Sequence, residues 1–223
     1  MALNISPQQA SDFIKSRAAG FRKDIAICQR GLSPKYLRQW LPHGPWPRHA
    51  YFPALMTCFS FLEFLSGYRA GNIKAYGGPS VKQIKEFSGK YLDCVKYKEP
   101  IIDILWEGFR NKLAHLYHPG FVFDTSKSKK IPNKNMRITW KISEKSTDRH
   151  LELEPKDHGL KKDLILWVEL RYDHVLHISI PSFREDLLKA ASCYSNDLLK
   201  DTKLLENFEK AIKDMIAFRI EQN

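Results

Sequence analysis

The residues from Met136 to Ser143, MRITWKIS, decide the fold class of this chain. Apolar and polar residues alternate strictly along this stretch, which is the pattern of a β-strand with one buried face. Before residue 118, apolar residues instead recur at intervals of three and four, which is typical of amphipathic helices. Helical spacing returns after residue 181. The change of period therefore predicts an α+β protein in which helices flank a small sheet on both sides.

Helix starts are marked by capping-box spacing, in which a serine precedes a glutamine or glutamate by three residues. The three instances are Ser6 with Gln9, Ser80 with Gln83 and Ser182 with Glu185. Together with the apolar spacing, they predict helices over about 7–29, 51–69, 80–97, 100–118 and 202–220, and a further helix after Ser182. Four helices within the first 118 residues favour an antiparallel bundle.

Strand-like alternation continues after MRITWKIS. It recurs around Leu151 and Leu153, and the run 164–180 predicts a hairpin of strands 164–171 and 175–180 that turns at Asp173 and His174. We therefore expect a small antiparallel sheet of three to five strands. The predicted domains are a helical domain, formed by 1–118 and 181–223, and an inserted antiparallel β-sheet subdomain at 119–180.

Composition narrows the choice of partner and compartment. The net charge of +11 favours an anionic partner such as RNA, or else serves only solubility. The four cysteines are widely spaced and no secretory signal is visible, which predicts reduced thiols in the cytoplasm. The most apolar stretch, Ala50 to Tyr68, contains Pro53 and Glu63, and we interpret it as a buried helix, with no membrane association.

The stretch FRNKLAHLYHP, residues 109–119, holds the densest group of residues suited to catalysis. Asn111 and His115 are four residues apart and share a helix face, and the long side chain of Arg110 can reach the same face. A histidine exchanges protons near neutral pH, and an arginine binds phosphate with a planar pair of donors. The alternative is that Arg110 is a solvated helix arginine and that His115 only caps the helix end.

Arg110, Asn111 and His115 match the R-N-x-x-x-H core of the HEPN superfamily, and Tyr117 extends the match to the R-x4-H-x-Y form that resembles toxins of HEPN/MNT toxin–antitoxin pairs. The resemblance covers the motif and its helical frame. It implies an HEPN-like bundle and a metal-independent endoribonuclease that acts as a homodimer with a composite active site, in toxin–antitoxin or antiviral defence. It also implies that a nucleotidyltransferase antitoxin modifies Tyr117, which is otherwise a rim residue.

In this interpretation the ribose 2′-hydroxyl of RNA is the nucleophile. His115 is the general acid and base, Arg110 holds the phosphate, and Asn111 orients the imidazole or the backbone. His118 is a secondary candidate, because it precedes Pro119 and the helical conformation is disfavoured there. Glu63 lies in an apolar helix, where it pairs with Arg69, Arg110 or another cation, or else faces solvent.

A second basic segment accompanies the predicted sheet. Six cations, predicted to contact RNA, lie close together at Lys127, Lys129, Lys130, Lys134, Arg137 and Lys141. Clustered cations neutralise phosphates and release counterions, although such a run is also typical of a solvated hairpin loop. Trp140 in this segment either stacks on a base or belongs to the core.

Other chemistries lack their motifs. The sequence has no Walker-type phosphate loop, no dinucleotide-binding glycine pattern and no nucleophile elbow, and its histidine pairs lack partners at metal-ligand spacing. We therefore expect no cofactor and no metal. The main alternative to a ribonuclease is a non-catalytic helical module that binds RNA or a protein.

Overall fold

The computed structural model of the chain describes residues 4–31, 51–73, 79–93, 95–111, 122–128, 131, 135–163 and 168–221. Its helices are α1 (Pro7–Gly31), α2 (Tyr51–Ala70), α3 (Val81–Tyr91), α4 (Ile101–Asp103), α5 (Ile180–Asp197) and α6 (Thr202–Glu221), with a π-helix over Ile104–Arg110 and a 3-10 helix over Thr125–Lys127. The strands are β1 (Phe123–Asp124), β2 (Arg137–Ser143), β3 (Leu153–Asp163) and β4 (Val168–Ser179). The chain is α+β, as the change of period predicts.

The chain divides into two compact units. The first unit comprises Met1–Arg30, Thr57–Cys94 and Arg184–Asn223, and the second comprises Gly31–Met56 and Val95–Phe183. The described part of the first unit is helical, and all four strands belong to the second. Residues 95–111 group with the sheet, although the sequence places them in the helical domain. The predicted domain boundaries and the HEPN-like bundle stay predictions.

Aromatic side chains form the core of the first unit. The ring of Phe13 in α1 lies 5.6 Å from that of Phe208 in α6 and 5.5 Å from that of Tyr68 in α2. Such pairs contribute about 0.5–1.5 kcal/mol beyond the burial of their area. Since α2 also buries Cys58, Phe59, Leu62 and Leu65, the prediction of a buried apolar helix is confirmed. No helix in the described ranges is long and apolar enough to cross a membrane.

Two of the predicted capping boxes are present. The backbone N–H of Ser6 donates to Oε1 of Gln9 at 2.9 Å, and the N–H of Gln9 donates to Oγ of Ser6 at 3.2 Å. Ser80 and Gln83 form the same pair of bonds, at 2.7 and 3.3 Å, at the start of α3. Local sequence therefore determines where α1 and α3 begin.

The third predicted capping box, at Ser182, is wrong. Helix α5 already begins at Ile180, and the N–H of Ser182 donates to Oγ of Ser179 at 3.2 Å. Ser179 is therefore the cap. The hydroxyl of Ser182 instead accepts the N–H of Thr147 at 3.2 Å, a contact between residues 35 apart in the sequence. A tertiary hydrogen bond has taken the place of the local one.

The sheet has the strand order β1-β2-β4-β3. The β1–β2 and β3–β4 pairs are antiparallel, but β2 runs parallel to β4, with Ile138 beside His174 and Ser143 beside Ser179. The expected antiparallel sheet is therefore wrong, and the sheet is mixed. Alternation of side chains determines which residues share a face, but it determines neither the neighbour nor the direction of a strand.

The predicted turn at Asp173 and His174 is also wrong, because β4 passes through both residues as one strand of 12 residues. Their polar side chains are used within the sheet. Oδ1 of Asp173 accepts the N–H of Arg137 at 2.8 Å and lies 2.5 Å from Nδ1 of His174. The antiparallel partner of β4 is β3, so their connection falls at 164–167, outside the described residues.

The π-helix packs on the sheet face that carries Trp140. The ring of Phe109 meets Trp140 edge to face at 5.0 Å, and Oγ of Ser128 donates to Oε2 of Glu107 at 2.5 Å. A Cβ added to Gly108 would lie 2.6 Å from the ring of Phe123, so this close approach requires glycine. The predicted helix at 100–118 is confirmed over 101–111, although most of that stretch is π-helical.

Candidate functional site

Arg110 ends the π-helix, and contacts with Asn111 and Trp106 help to hold its side chain in place. Nη1 of Arg110 donates to Oδ1 of Asn111 at 3.1 Å, and the guanidinium carbon lies 5.1 Å from the centre of the Trp106 ring. Both Arg110 and Asn111 are half-buried. A guanidinium restricted in this way loses less conformational freedom when it binds a phosphate. The structure thus joins two of the three residues of the predicted catalytic motif.

The backbone that presents Arg110 is irregular. The N–H of Asn111 donates to the carbonyl of Trp106, five residues earlier, and the π-helical geometry covers seven residues. Turns of π-helix are rare and occur frequently at functional sites. The apolar spacing of the sequence predicts only an ordinary α-helix here, so this feature is visible in the structure alone.

The remaining motif residues, His115, Tyr117 and His118, lie outside the described residues. The same holds for Lys129, Lys130 and Lys134 of the predicted RNA-binding segment. Lys127 ends the 3-10 helix, but only its backbone is described. Their predicted roles stay predictions.

Arg137 lines a polar cleft of about 440 Å³ in the second unit. Arg171 of β4 contributes a second cation to this cleft, and Asn135 and Tyr172 also line it. Asp124 and Asp173 also line this cleft. Asp124 is the direct neighbour of Arg137 in the β1–β2 pair. The cleft therefore combines two cations with two carboxylates.

Lys141 is exposed and lies four residues after Arg137 on β2, so the two side chains share one sheet face. Trp140 faces the opposite side, where it is 8% exposed and contacts Phe109. Of the two alternatives for Trp140, the core position is therefore the observed one. The strand separates a cationic face from an apolar face.

A charged cluster next to Lys141 was not predicted from the sequence. Nε2 of His177, the neighbour of Lys141 on β4, lies 2.9 Å from Oε2 of Glu154. Lys156 and Arg149 also bind this carboxylate, at 2.6 and 2.9 Å. The hydrogen bonds from Lys156 and His177 lower the pKa of Glu154 to about 2. Interpreting β4 as one continuous strand would have placed Arg171, Asp173 and His177 on one face of that strand, whereas their proximity to Arg137 and Lys141 is visible only in the structure.

Glu63 belongs to the first unit, where it is half-buried and lines an apolar cavity of about 400 Å³. Arg17 and Phe64 also line this cavity. Arg69, one of the predicted partners of Glu63, lies 3.7 Å from Glu86. The structure thus places Glu63, half-buried, in the wall of this cavity.

His150 is the most buried histidine side chain described, at 1% exposure. Its Nδ1 accepts the N–H of Ser179 at 3.0 Å, and its Nε2 lies 3.1 Å from Oη of Tyr97. Because Nδ1 is an acceptor, the imidazole is neutral and its proton is on Nε2. Burial, and then the charge of Lys96, lowers the pKa of His150 from 6.5 to about 3. This histidine serves the structure of the second unit.

Comparison of the chain with known proteins identifies no family. The chain matches no protein-family model, no curated protein and no solved structure. Within the described ranges, no group of three or more His, Cys, Asp or Glu side chains is placed to hold a metal ion. The resemblance to the HEPN superfamily therefore rests on the sequence motif.

Proposed function

We propose that the chain is an HEPN-like, metal-independent endoribonuclease. The observation that carries this proposal is the restricted guanidinium of Arg110, which Asn111 and Trp106 hold at the end of a π-helix. Arginine and asparagine are the first two residues of the motif, and their side chains interact directly. His115 completes the motif in the sequence.

The reaction needs few protein groups because RNA carries its own nucleophile. His115 removes the proton from the ribose 2′-hydroxyl, which attacks the adjacent phosphorus, and the bond to the 5′-oxygen breaks as the protonated imidazole returns a proton to that oxygen. Arg110 stabilises the negative charge that develops on the phosphate oxygens. The products are a 2′,3′-cyclic phosphate and a 5′-hydroxyl. Asn111 keeps the guanidinium in position through the 3.1 Å hydrogen bond.

The biological setting is part of the same proposal. By resemblance, two copies of the chain form a homodimer with the motif helices facing one cleft, and the enzyme acts in toxin–antitoxin or antiviral defence. A nucleotidyltransferase antitoxin would silence it by modifying Tyr117. A mass shift upon co-expression with a neighbouring nucleotidyltransferase tests this step, and retention of the shift in Tyr117→Phe would refute it.

The activity is tested by incubating purified protein with RNA in EDTA. We expect cleavage by the wild type, a loss of about 10²–10³-fold in rate for Arg110→Ala, and a loss of about 10²–10⁴-fold for His115→Ala. Arg22→Gln, which removes an exposed arginine of α1, is the control and should cleave normally. Intact RNA with every variant, or cleavage only after metal addition, would refute the proposal.

A second candidate is a non-catalytic RNA-binding module, and the polar cleft favours it. Arg137 and Arg171 both line this cleft and are both exposed. If both arginines bind phosphates of RNA, the affinity for RNA should decrease as the salt concentration rises. The carboxylates of Asp124 and Asp173 repel those phosphates and therefore weaken the electrostatic attraction. This function predicts RNA binding that is lost in the double variant Arg137→Gln/Arg171→Gln and that survives His115→Ala.

A further inference from the structure

The first unit contains a polar cavity of about 560 Å³ that the sequence motifs do not indicate. It lies among the C-terminal turn of α2, one side of α3 and the first turns of α6. Four cationic side chains line it together with two carboxylates; the cations are Arg69, Lys82, Lys90 and Lys203, and the carboxylates are Glu86 and Asp201. The cations come from three different helices, so they approach the cavity from several directions.

Arg69 is held firmly at this cavity. Nδ2 of Asn207 donates to the Arg69 carbonyl at 3.0 Å, and Gly71, with φ of +65°, lets the chain pass close to Asn207. A Cβ at residue 71 would lie 3.0 Å from the Asn207 carbonyl oxygen. The end of α2 is thus fixed against α6, and with it the backbone position from which the Arg69 side chain reaches the cavity.

The guanidinium of Arg69 is incompletely used. Its side chain is 22% exposed, and its nearest carboxylate, Glu86, lies 3.7 Å from Nη1 and is itself 48% exposed. Its Nε is buried and has no hydrogen-bond partner among the described residues. A buried N–H group without a hydrogen-bond partner has lost its hydrogen bonds to water and has gained none in the protein. An acceptor atom beside Nε of Arg69 would therefore bind favourably.

The other charged groups of the cavity differ in availability. Lys90 is paired with Asp197 at 3.0 Å, and Asp201 caps α6 by accepting the N–H groups of Lys203 and Leu204 at 3.0 and 3.1 Å. No ion pair of Lys82 or Lys203 is present in the described part of the chain. Arg69, Lys82 and Lys203 are therefore the cations available to a ligand.

We propose that this cavity binds a phosphate group, with Arg69 as the principal contact and Lys82 and Lys203 as supporting cations. A phosphate carries up to two charges and offers oxygens in several directions, which suits cations on three helices, whereas a carboxylate offers two oxygens in one plane. The planar donors of Arg69 match two phosphate oxygens. The site belongs to the first unit and Arg110 to the second, and phosphate binding does not depend on RNA cleavage.

Calorimetric titration of the full chain with inorganic phosphate, at constant ionic strength, tests the site. We expect saturable binding by the wild type, affinity about ten-fold or more weaker in Arg69→Gln, and a smaller loss in Lys203→Gln. Lys210→Gln, which removes another exposed lysine of α6 outside the cavity, should bind like the wild type. Absence of phosphate binding by the wild type, or equal binding by Arg69→Gln and the wild type, would overturn the proposal.

Glu86→Gln supplies a test that does not depend on losing an interaction. Glu86 competes with the ligand for Arg69, so its neutralisation should increase the affinity for phosphate several-fold. Unchanged or weaker binding would contradict the site. A titration with acetate distinguishes phosphate recognition from general attraction of anions, and acetate binding as tight as phosphate binding would overturn the proposal.

The source of the phosphate is resolved by two further titrations, one with a mononucleotide and one with a short RNA without a terminal phosphate. Tighter binding of the mononucleotide, sensitive to Arg69→Gln, identifies a small phosphorylated ligand. Tighter binding of the RNA with the same sensitivity identifies the RNA backbone. Either result supports the site. If the mononucleotide and the RNA both bind Arg69→Gln as tightly as the wild type, the proposal is overturned. Cleavage assays on Arg110→Ala are independent of these outcomes.

Discussion

Lowering the pH from 7 to 5 should destabilise the second unit through one buried residue, His150. In the folded chain its Nδ1 accepts the Ser179 N–H, so a second ring proton would point at another donor. Its pKa is lowered to about 3 by burial and by Lys96, whereas an unfolded histidine titrates at 6.5. Between these two values the unfolded chain binds a proton that the folded chain does not.

The direction and size of the change in stability follow from this difference in pKa between the folded and the unfolded chain. The contribution of a neutral buried histidine is complete above pH 6.5 and is lost as the pH falls toward 3. The free energy of unfolding declines by up to about 1.4 kcal/mol per pH unit within this window. Between pH 7 and pH 5 the expected loss is therefore about 2 kcal/mol.

Urea denaturation followed by tryptophan fluorescence is the appropriate assay. All five tryptophans belong to the segments of the second unit, so the fluorescence reports the unit that contains His150. In His150→Asn, the amide oxygen can still accept the Ser179 N–H but does not titrate. This variant should be less stable at pH 7 by about 1–3 kcal/mol and should lose about 2 kcal/mol less between pH 7 and pH 5 than the wild type.

Tyr97→Phe is the matched control. It removes the 3.1 Å hydrogen bond to Nε2 and lowers stability, but His150 remains titratable, so the pH dependence of the wild type should persist. The reasoning is refuted if His150→Asn shows the same loss between pH 7 and pH 5 as the wild type. It is also refuted if Tyr97→Phe loses the pH dependence, because the effect would then reflect general destabilisation.

Three further predictions concern stability and are measured by urea denaturation followed by circular dichroism. Gly71→Ala should lower the free energy of unfolding by about 1–3 kcal/mol because of its φ of +65°, whereas Gly89→Ala, where an added Cβ meets nothing within 4 Å, should raise it by about 0.5–1 kcal/mol; equal effects would contradict this. Gly108→Ala should cost about 1–3 kcal/mol because its Cβ would lie 2.6 Å from the Phe123 ring, and wild-type stability would refute that contact. Ser80→Ala should cost about 1 kcal/mol by removing the cap of α3, and Ser60→Ala, an exposed serine within α2, should cost less.

Local signals in the sequence predicted the helices well because their causes are local. The capping partners of Ser6 and Ser80 lie three residues away, and the apolar spacing of α1 and α6 repeats within a few turns. Ser182 shows the limit of such signals. Its spacing to Glu185 is correct for a capping box, but a distant partner, Thr147, uses its hydroxyl, and Ser179 caps the helix instead.

The candidate sites divide in the same way. The proximity of Arg110 to Asn111 follows from their adjacency in the sequence. The shared sheet face of Arg137 and Lys141 follows from their spacing of four residues on one strand. The sequence did not predict which distant residues lie next to them. Arg171 lines the same cleft as Arg137, and the polar cavity that contains Arg69 is lined by three helices, because segments far apart in the sequence are in contact.

The sequence by itself determined the α+β class, most helix positions, the two faces of β2 and the R-N-x-x-x-H motif, because these depend on the order of neighbouring residues. Only the tertiary structure decided that β2 runs parallel to β4, that β4 continues through Asp173 and His174, and that the helix before Arg110 is π-helical. The local preference of a polar residue does not by itself decide whether it lies in a turn, a strand or a buried network. Its surroundings, which come from distant parts of the chain, select among these states through the hydrogen bonds they offer.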